Sequence, residues 1–168
     1  MKMREIKIEK VTLNIGTGEP GDKLDKAIKL LSMISGAKPV QTVAKKRIPT
    51  WGIRPGLAIG CKVTLRKEKA YELIQRLLKA VNNKISERKI DKFGNFSFGV
   101  KEYIEVPGAK YDPSIGIIGF EAAVTLMRPG YRVKERMLKR SKIGNKHAIT
   151  KQDTIKFLNE KFEVEVTN

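Results

Sequence analysis

Two stretches of the chain alternate strictly between apolar and polar residues. Val11, Leu13 and Ile15 alternate with polar neighbours, and the same pattern recurs from Ile59 to Leu65. A period of two is typical of a strand with one buried face. By composition and turn signals, further extended segments are expected at 38–44, 95–106, 117–127 and 162–166.

Apolar residues at helical spacing predict three helices. The first runs from 22 to 35, with Asp22 as its expected cap and Gly36 at its end. The second carries an apolar stripe made of Leu73, Ile74, Leu77, Leu78 and Val81. The third follows Thr150 and Asp153, which are spaced as a capping box.

The order of these elements predicts an α+β fold. No helix separates the strands at 95–106 and 117–127, so this pair is expected to be antiparallel. We therefore expect a mainly antiparallel sheet with helices packed on one face and a polar face left open. Residues 1–127 are expected to form a single domain. Residues 128–168 are expected to form a basic extension, with a short helix and a candidate last strand, packed on that domain.

Charge is unevenly distributed along the 168 residues. The chain has 35 Lys and Arg against 18 Asp and Glu, a net charge of +17. Residues 38–69 carry nine basic groups and one acidic group, and residues 128–151 carry the same numbers, so each segment has net +8. Such concentrated positive charge points to a polyanionic partner. The apolar runs are too short for a membrane span, and no signal peptide is visible. The single cysteine, Cys61, favours a reducing compartment. A cytoplasmic protein without a membrane partner is therefore expected.

The residues offer little for catalysis, cofactors or metal binding. Gly16 to Gly21 matches the G-x-G-x-x-G pattern, but no acidic residue lies between Asp25 and Glu68 to hold a ribose, so a flexible turn is favoured. His147 is the only histidine, and phosphate contact or plain exposure is expected for it. Cys61 is expected to be a small buried hydrophobe. No catalytic residue, metal site or cofactor is predicted.

A nucleic-acid interface has more support. Lys62, Thr64 and Arg66 share the polar side of one strand, and Asn14 lies on the polar side of another, which favours contacts with RNA. The alternative is that this face is polar only because it is exposed to solvent. The loop 44–56 adds four cations and no anion, namely Lys45, Lys46, Arg47 and Arg54. Trp51 in this loop either stacks on a base or anchors the loop to the core.

Several motifs, in order, resemble the large-subunit ribosomal protein L5 family. They are Val11 to Glu19, Ser35-Gly36 with Lys38-Pro39, Ala44-Lys45-Lys46, Ile59 to Arg66, Asn95 to Glu102, and Tyr111-Asp112. The segment Arg128 to Val133, His147 with Ile149-Thr150, and a short start without the helical extension of bacterial members resemble the archaeal branch.

The resemblance implies a non-enzymatic protein of the central protuberance that binds 5S rRNA through its sheet face. Carried to matching positions, the contacts would be Lys10, Asn14, Thr64 and Arg66, and Trp51 lies where the family usually has an aromatic residue. Lys62, on the polar side of the same strand as Thr64 and Arg66, is expected to join them. The loop cations would approach P-site tRNA. Ala37 departs from the family pattern, because many members have Gln there.

Further partners are expected from the same resemblance and from the charge. They are 23S rRNA, neighbouring large-subunit proteins and a protein of the small-subunit head. Arg132, Arg136 and Arg140 are expected to make additional rRNA contacts. Two other functions remain open on the sequence alone: an RNA-acting enzyme that uses His147, and a general nucleic-acid packing protein.

Overall fold

The computed structural model describes residues 3–167 and contains a five-stranded sheet, three α-helices and a separate strand pair. The large sheet has the order β2-β3-β1-β6-β5, and all its neighbours are antiparallel. The elements are β1 (Lys7–Gly16), α1 (Asp22–Ser35), β2 (Val40–Val43), β3 (Ala58–Leu65), α2 (Lys67–Ala80), β4 (Lys84–Ser86), β5 (Phe96–Val100), β6 (Phe120–Met127), α3 (Lys151–Phe162) and β7 (Glu165–Thr167). The predicted α+β class is confirmed.

One face of the large sheet is buried and the other is open. Val11 and Leu13 of β1 are fully buried and pair with Leu65 and Val63 of β3, while the residues between them point to the opposite side. The buried side chains of α1 and α2 join this apolar face in one core, as their helical periodicity predicts.

Several predicted elements begin or end at other residues in the structure, and Val81 of the predicted apolar stripe lies just past the end of α2. The strand predicted over 95–106 ends at Val100, and a 3-10 turn, Tyr103–Glu105, follows it. Tyr103 is fully buried there, and its hydroxyl accepts a hydrogen bond from the Asp112 amide at 2.9 Å, which bends the chain out of the sheet. β6 begins only at Phe120. Asp22 is the first helical residue of α1, and Gly21 occupies the cap position with a φ of 114°.

The short β4 was not predicted from the sequence. It pairs in parallel with β7, so the end of the described chain returns to residues that follow α2. A last strand was expected at 162–166, but Phe162 still belongs to α3 and packs 5.0 Å from the Tyr71 ring. Three residues give β4 too little periodicity to stand out in a sequence.

The helix α3 is joined to the rest of the core at Gly94. The Thr154 hydroxyl donates a hydrogen bond to the Gly94 carbonyl at 2.9 Å. A Cβ on Gly94 would lie 2.4 Å from Ile149 and 2.6 Å from Thr154, and its φ of +80° is one that side-chain-bearing residues rarely adopt. Glycine is therefore required where α3 meets the chain that precedes β5.

Candidate nucleic-acid interface

Polar side chains on β1 and β3 lie in register on the open sheet face. Asn14 pairs with Lys62 and Thr12 pairs with Thr64, whose hydroxyl oxygen lies 3.4 Å from that of Thr12. Lys62, Thr64 and Arg66 are exposed, while the residues between them are buried. The predicted split of this strand into an apolar and a polar side is therefore confirmed.

Two of the predicted contact residues share one carboxylate. A shift in the β1–β6 register leaves Glu9 without a paired residue on β6. The Glu9 Oε1 lies 3.6 Å from the Arg66 guanidinium and 3.9 Å from the Lys10 ammonium. The structure thus brings Lys10 and Arg66 together, and Glu9 partly balances their charge. No local sequence pattern indicates this arrangement, because Glu9 and Arg66 lie far apart along the chain.

A trough on the far half of the open face was missed from the sequence. It has a volume of about 520 Å³ and lies between β1, β5 and β6. Glycines contribute to its wall, which brings the backbone within reach of a ligand. The polar side chains that line it are Asn14, Lys89, Lys101 and Glu121. The alternation of exposed Glu121 between buried Phe120 and Ala122 was the one available signal.

The loop between β2 and β3 is an ordered hairpin, which we call the basic hairpin (residues 44–57). The Ala44 amide donates to the Leu57 carbonyl at 2.8 Å, and Ile48 and Ile53 exchange hydrogen bonds of 2.9 and 3.1 Å. A 3-10 turn, Pro49–Trp51, forms the tip, where no regular element was expected.

The side chains of the basic hairpin divide clearly between core and solvent. Ile53 is buried and anchors the hairpin, whereas Trp51 is 72% exposed at the tip. The alternative in which Trp51 anchors the loop is therefore wrong. The four predicted cations are all exposed, namely Lys45, Lys46, Arg47 and Arg54.

The basic C-terminal segment (residues 128–151) is held by a buried arginine. The Arg128 guanidinium lies 3.0 Å from the Asp153 carboxylate and donates to the carbonyls of His147 and Ala148 at 3.3 and 3.0 Å. Burial by itself would raise the pKa of Asp153, but hydrogen bonds from Thr150 and the Arg128 charge hold this pKa below its ordinary value. Thr150 and Asp153 form the predicted capping box.

His147 has a structural position, and the expectation that it is plainly exposed is wrong, because its ring is half-buried. Its Nε2 lies 2.9 Å from the Pro129 carbonyl oxygen, and the half-buried ring packs edge-on against Tyr131. The Tyr131 hydroxyl in turn accepts a hydrogen bond from the Ile149 amide at 2.9 Å. These contacts join the two ends of the segment to each other, and the Arg128–Asp153 ion pair joins the segment to α3.

The three arginines predicted to add rRNA contacts are exposed, but two of them also shape their own segment. Arg136 Nε donates to the Lys139 carbonyl at 2.9 Å, and Arg140 Nε donates to the Lys134 carbonyl at 2.6 Å. Arg132 is exposed. Within residues 3–167, no hydrogen bond or ion pair joins this segment to the basic hairpin, so the structure does not link the two sets of cations.

Other chemistry suggested by the sequence has no support in the geometry. The amides of Thr17 and Gly18 both donate to the Ile59 carbonyl at 3.0 Å, so the glycine-rich turn has few amides left for a phosphate. Burial raises the pKa of the Cys61 thiol to about 11, which keeps it protonated and unreactive. Among residues 3–167, no group of three or more potential metal ligands occurs, and no helix is long and apolar enough to span a membrane.

Comparison with known proteins covers nearly the whole chain. Residues 2–54 match the family model described as Ribosomal protein L5, and residues 58–163 match the model for the C-terminus of the same ribosomal family. The large ribosomal subunit protein uL5 of Nanoarchaeum equitans is 56% identical over 98% of this chain and 97% of its own length. The proteins of the same name from Sulfurisphaera tokodaii and Methanococcus maripaludis (strain DSM 14266) are each 46% identical over 98% of this chain and over 93% and 92% of their own lengths.

Proposed function

The chain belongs to the ribosomal protein L5 family of the large ribosomal subunit, in its archaeal form, and we propose that it binds 5S rRNA through its open sheet face. Its relatives are named as large ribosomal subunit proteins and not as enzymes, which supports a location on the ribosome in the cytoplasm, with rRNA as the partner. An rRNA is held by neutralising its phosphates and by hydrogen bonds to its sugars and bases, and both kinds of group are present on this protein.

The proposal rests on the in-register polar pairs of β1 and β3. Asn14 beside Lys62 and Thr12 beside Thr64 offer amide, hydroxyl and ammonium groups on the side of the sheet opposite the buried Val11 and Leu13. Cations position a phosphate backbone, while amides and hydroxyls bond to 2′-hydroxyls and base edges. Because strands fix the spacing of these groups, little ordering is required of them on binding.

The trough extends this surface toward β5. Lys89 and Lys101 would hold phosphates at its rim, and the Glu121 carboxylate would accept a hydrogen bond from a base amino group or a 2′-hydroxyl. Glycines leave room for the RNA backbone to approach closely.

The basic hairpin is proposed to serve a second RNA, the P-site tRNA. Its anchored base and exposed tip support this assignment, since Trp51 is free to stack while the adjacent cations hold phosphates. The protein is also proposed to help bridge to the small-subunit head and to contact 23S rRNA through its basic C-terminal segment.

Measurement of 5S rRNA affinity tests the sheet-face assignment. Asn14→Ala, Lys62→Ala and Arg66→Ala should each cost about 1–3 kcal/mol of binding free energy if the residue contacts RNA directly. Lys79→Ala is the matched control, because Lys79 is an exposed lysine on α2, the helix that covers the opposite face. Equal losses for Lys62→Ala and Lys79→Ala would contradict the assignment.

The dependence of binding on salt tests whether phosphates are neutralised. Affinity for 5S rRNA should fall steeply and linearly on logarithmic axes as salt rises, because each phosphate contact releases counterions. A general packing protein would bind duplex DNA of equal length as tightly, and that result would favour the rival function.

The basic hairpin is tested in assembled subunits. Changing Lys45, Lys46 and Arg47 together to Gln should leave 5S rRNA binding largely intact and lower P-site tRNA occupancy. Loss of 5S rRNA binding in this variant would instead assign the hairpin to the first partner.

A further inference from the structure

Two apolar side chains project from the most basic part of the chain. Met137 is 92% exposed and Leu138 is 75% exposed, which makes them the most exposed large hydrophobic residues within 3–167. One acidic residue, Glu135, accompanies them. The surrounding cations are Arg132, Lys134, Arg136, Lys139, Arg140 and Lys142.

This tip is held in shape by its own side chains. The Arg136 and Arg140 bonds to the Lys139 and Lys134 carbonyls close the turn on both sides, and the Ser141 amide donates to the Val133 carbonyl at 3.2 Å. Lys139 adopts a φ of 50°, which side-chain-bearing residues disfavour and which the Arg136 bond helps to maintain. Met137 and Leu138 are therefore presented by a fixed turn.

We propose that this tip is an apolar wedge that packs against an unstacked base of ribosomal RNA while the surrounding cations hold the adjacent phosphates. The inference rests on the proposed rRNA-binding function and adds to it a ligand feature, a bulge or loop in which a base is displaced from its stack.

The charge around the tip favours RNA over a protein partner. The centre of a protein interface is depleted of charged residues, whereas six cations and one anion here surround two apolar side chains. RNA exposes apolar surface chiefly on the faces of its bases, and these are reachable in bulges and loops but not within an A-form helix. Nucleic-acid-binding proteins that unstack bases combine apolar wedges with flanking cations in the same way.

The test compares two RNA duplexes of about 20 base pairs, one fully paired and one with a single-nucleotide bulge. The variant is Met137→Ser with Leu138→Ser, which keeps every charge. Its affinity for the bulged duplex should fall about tenfold, as expected for loss of a stacking contact. Its affinity for the paired duplex should stay within about twofold, and the salt slope should not change, because no phosphate contact is lost.

Three further measurements make the result decisive. Met33→Ser with Ile117→Ser removes two other exposed apolar residues outside the basic segments and should leave both affinities unchanged. Lys142→Gln should lower the salt slope without removing the preference for the bulge. Circular dichroism should show that all variants are folded, as the exposure of the substituted side chains implies.

The outcomes separate this inference from the proposed function. Equal affinity of the double serine variant and the parent for the bulged duplex, or equal loss on both duplexes, would overturn the wedge while leaving rRNA binding in place. A defect only in incorporation into archaeal large subunits that lack this protein, with both duplex affinities unchanged, would assign the tip to a feature other than an unstacked base and would also overturn the wedge. Failure of the parent to bind 5S rRNA would reject the proposed function itself.

Discussion

The two basic segments have the same net charge but use it differently. In residues 38–69, one of nine cations has a protein partner among the described contacts, namely Arg66 beside Glu9. In residues 128–151, five of nine do, through an ion pair, a carbonyl bond or a ring contact: Arg128, Lys134, Arg136, Arg140 and Lys151.

The difference follows from the backbone that carries each segment. Strands and a hairpin already position the first set, so its cations remain available for phosphates. The second set lies on an irregular chain with few backbone hydrogen bonds, and its own arginines supply the missing ones. Net charge therefore overstates the number of phosphate contacts that the second segment can make.

Removing Arg128 should give the largest effect, a loss of stability in the basic C-terminal segment (residues 128–151). Arg128→Met leaves the Asp153 carboxylate and two carbonyls without their partner, so we expect a loss of about 3 kcal/mol in the free energy of unfolding. Urea denaturation measures it, and Arg132→Met, which substitutes an exposed arginine, should cost less than about 0.5 kcal/mol. Similar losses of unfolding free energy for Arg128→Met and Arg132→Met would show that Arg128 does not hold the basic C-terminal segment in place.

Charge-preserving substitutions should separate the two regions next. Arg136→Lys with Arg140→Lys removes the two carbonyl bonds of the tip and should weaken rRNA binding about fivefold, because lysine has no planar guanidinium. Arg47→Lys with Arg54→Lys, in the basic hairpin, should stay within about twofold. Filter binding at one fixed salt concentration compares them, and equal effects would mean that charge alone matters in both regions.

Asp153→Asn should have a smaller effect on stability than Arg128→Met, and this effect depends on pH. We expect a loss of about 1–2 kcal/mol at pH 7, because the amide weakens the cap of α3 and removes the charge that faces Arg128, whose bonds to two carbonyls remain. Because folding lowers the pKa of Asp153, its ionised form stabilises the protein above the unfolded-state pKa of about 4, and this contribution is lost as pH falls through the folded value. The gap between parent and variant should therefore narrow below pH 4 in unfolding experiments. A gap that widens in acid would contradict this.

Glu9→Gln gives the smallest expected effect, and it acts on residues 38–69 through Arg66, the one cation there with a protein partner among the described contacts. Freed from the shared carboxylate, Lys10 and Arg66 should bind 5S rRNA about two- to threefold more tightly at low salt, a gain of about 0.5 kcal/mol. Glu5→Gln, whose carboxylate lies 3.8 Å from Lys7, is the control. A loss of affinity in Glu9→Gln would mean that the carboxylate orients Arg66 productively.

Periodicity predicted the regular part of this fold well. The polar side of β3, the stripe of α2 and the Thr150–Asp153 cap each depend on residues close in sequence, and each is observed. Whether the side chains of Trp51 and His147 are exposed or buried depends on contacts with distant residues, such as the Pro129 carbonyl beside the His147 ring. No local sequence pattern encodes such contacts. The trough beside Glu121 could not be predicted for the same reason, because it is formed by β1, β5 and β6, which are distant in the sequence.

The pairing of β7 with β4 also has a consequence for how the chain folds during synthesis. Leu158 and Val164 complete the core, and the parallel pair joins residues 84–86 to 165–167, so these contacts span about half the chain. Such distant contacts form slowly, and only after residues 165–167 have been made. Until then a strongly cationic nascent chain has an unfinished core beside a ribosome made of RNA. The five strands of the large sheet, which all precede residue 128, can therefore pair before this closing contact forms.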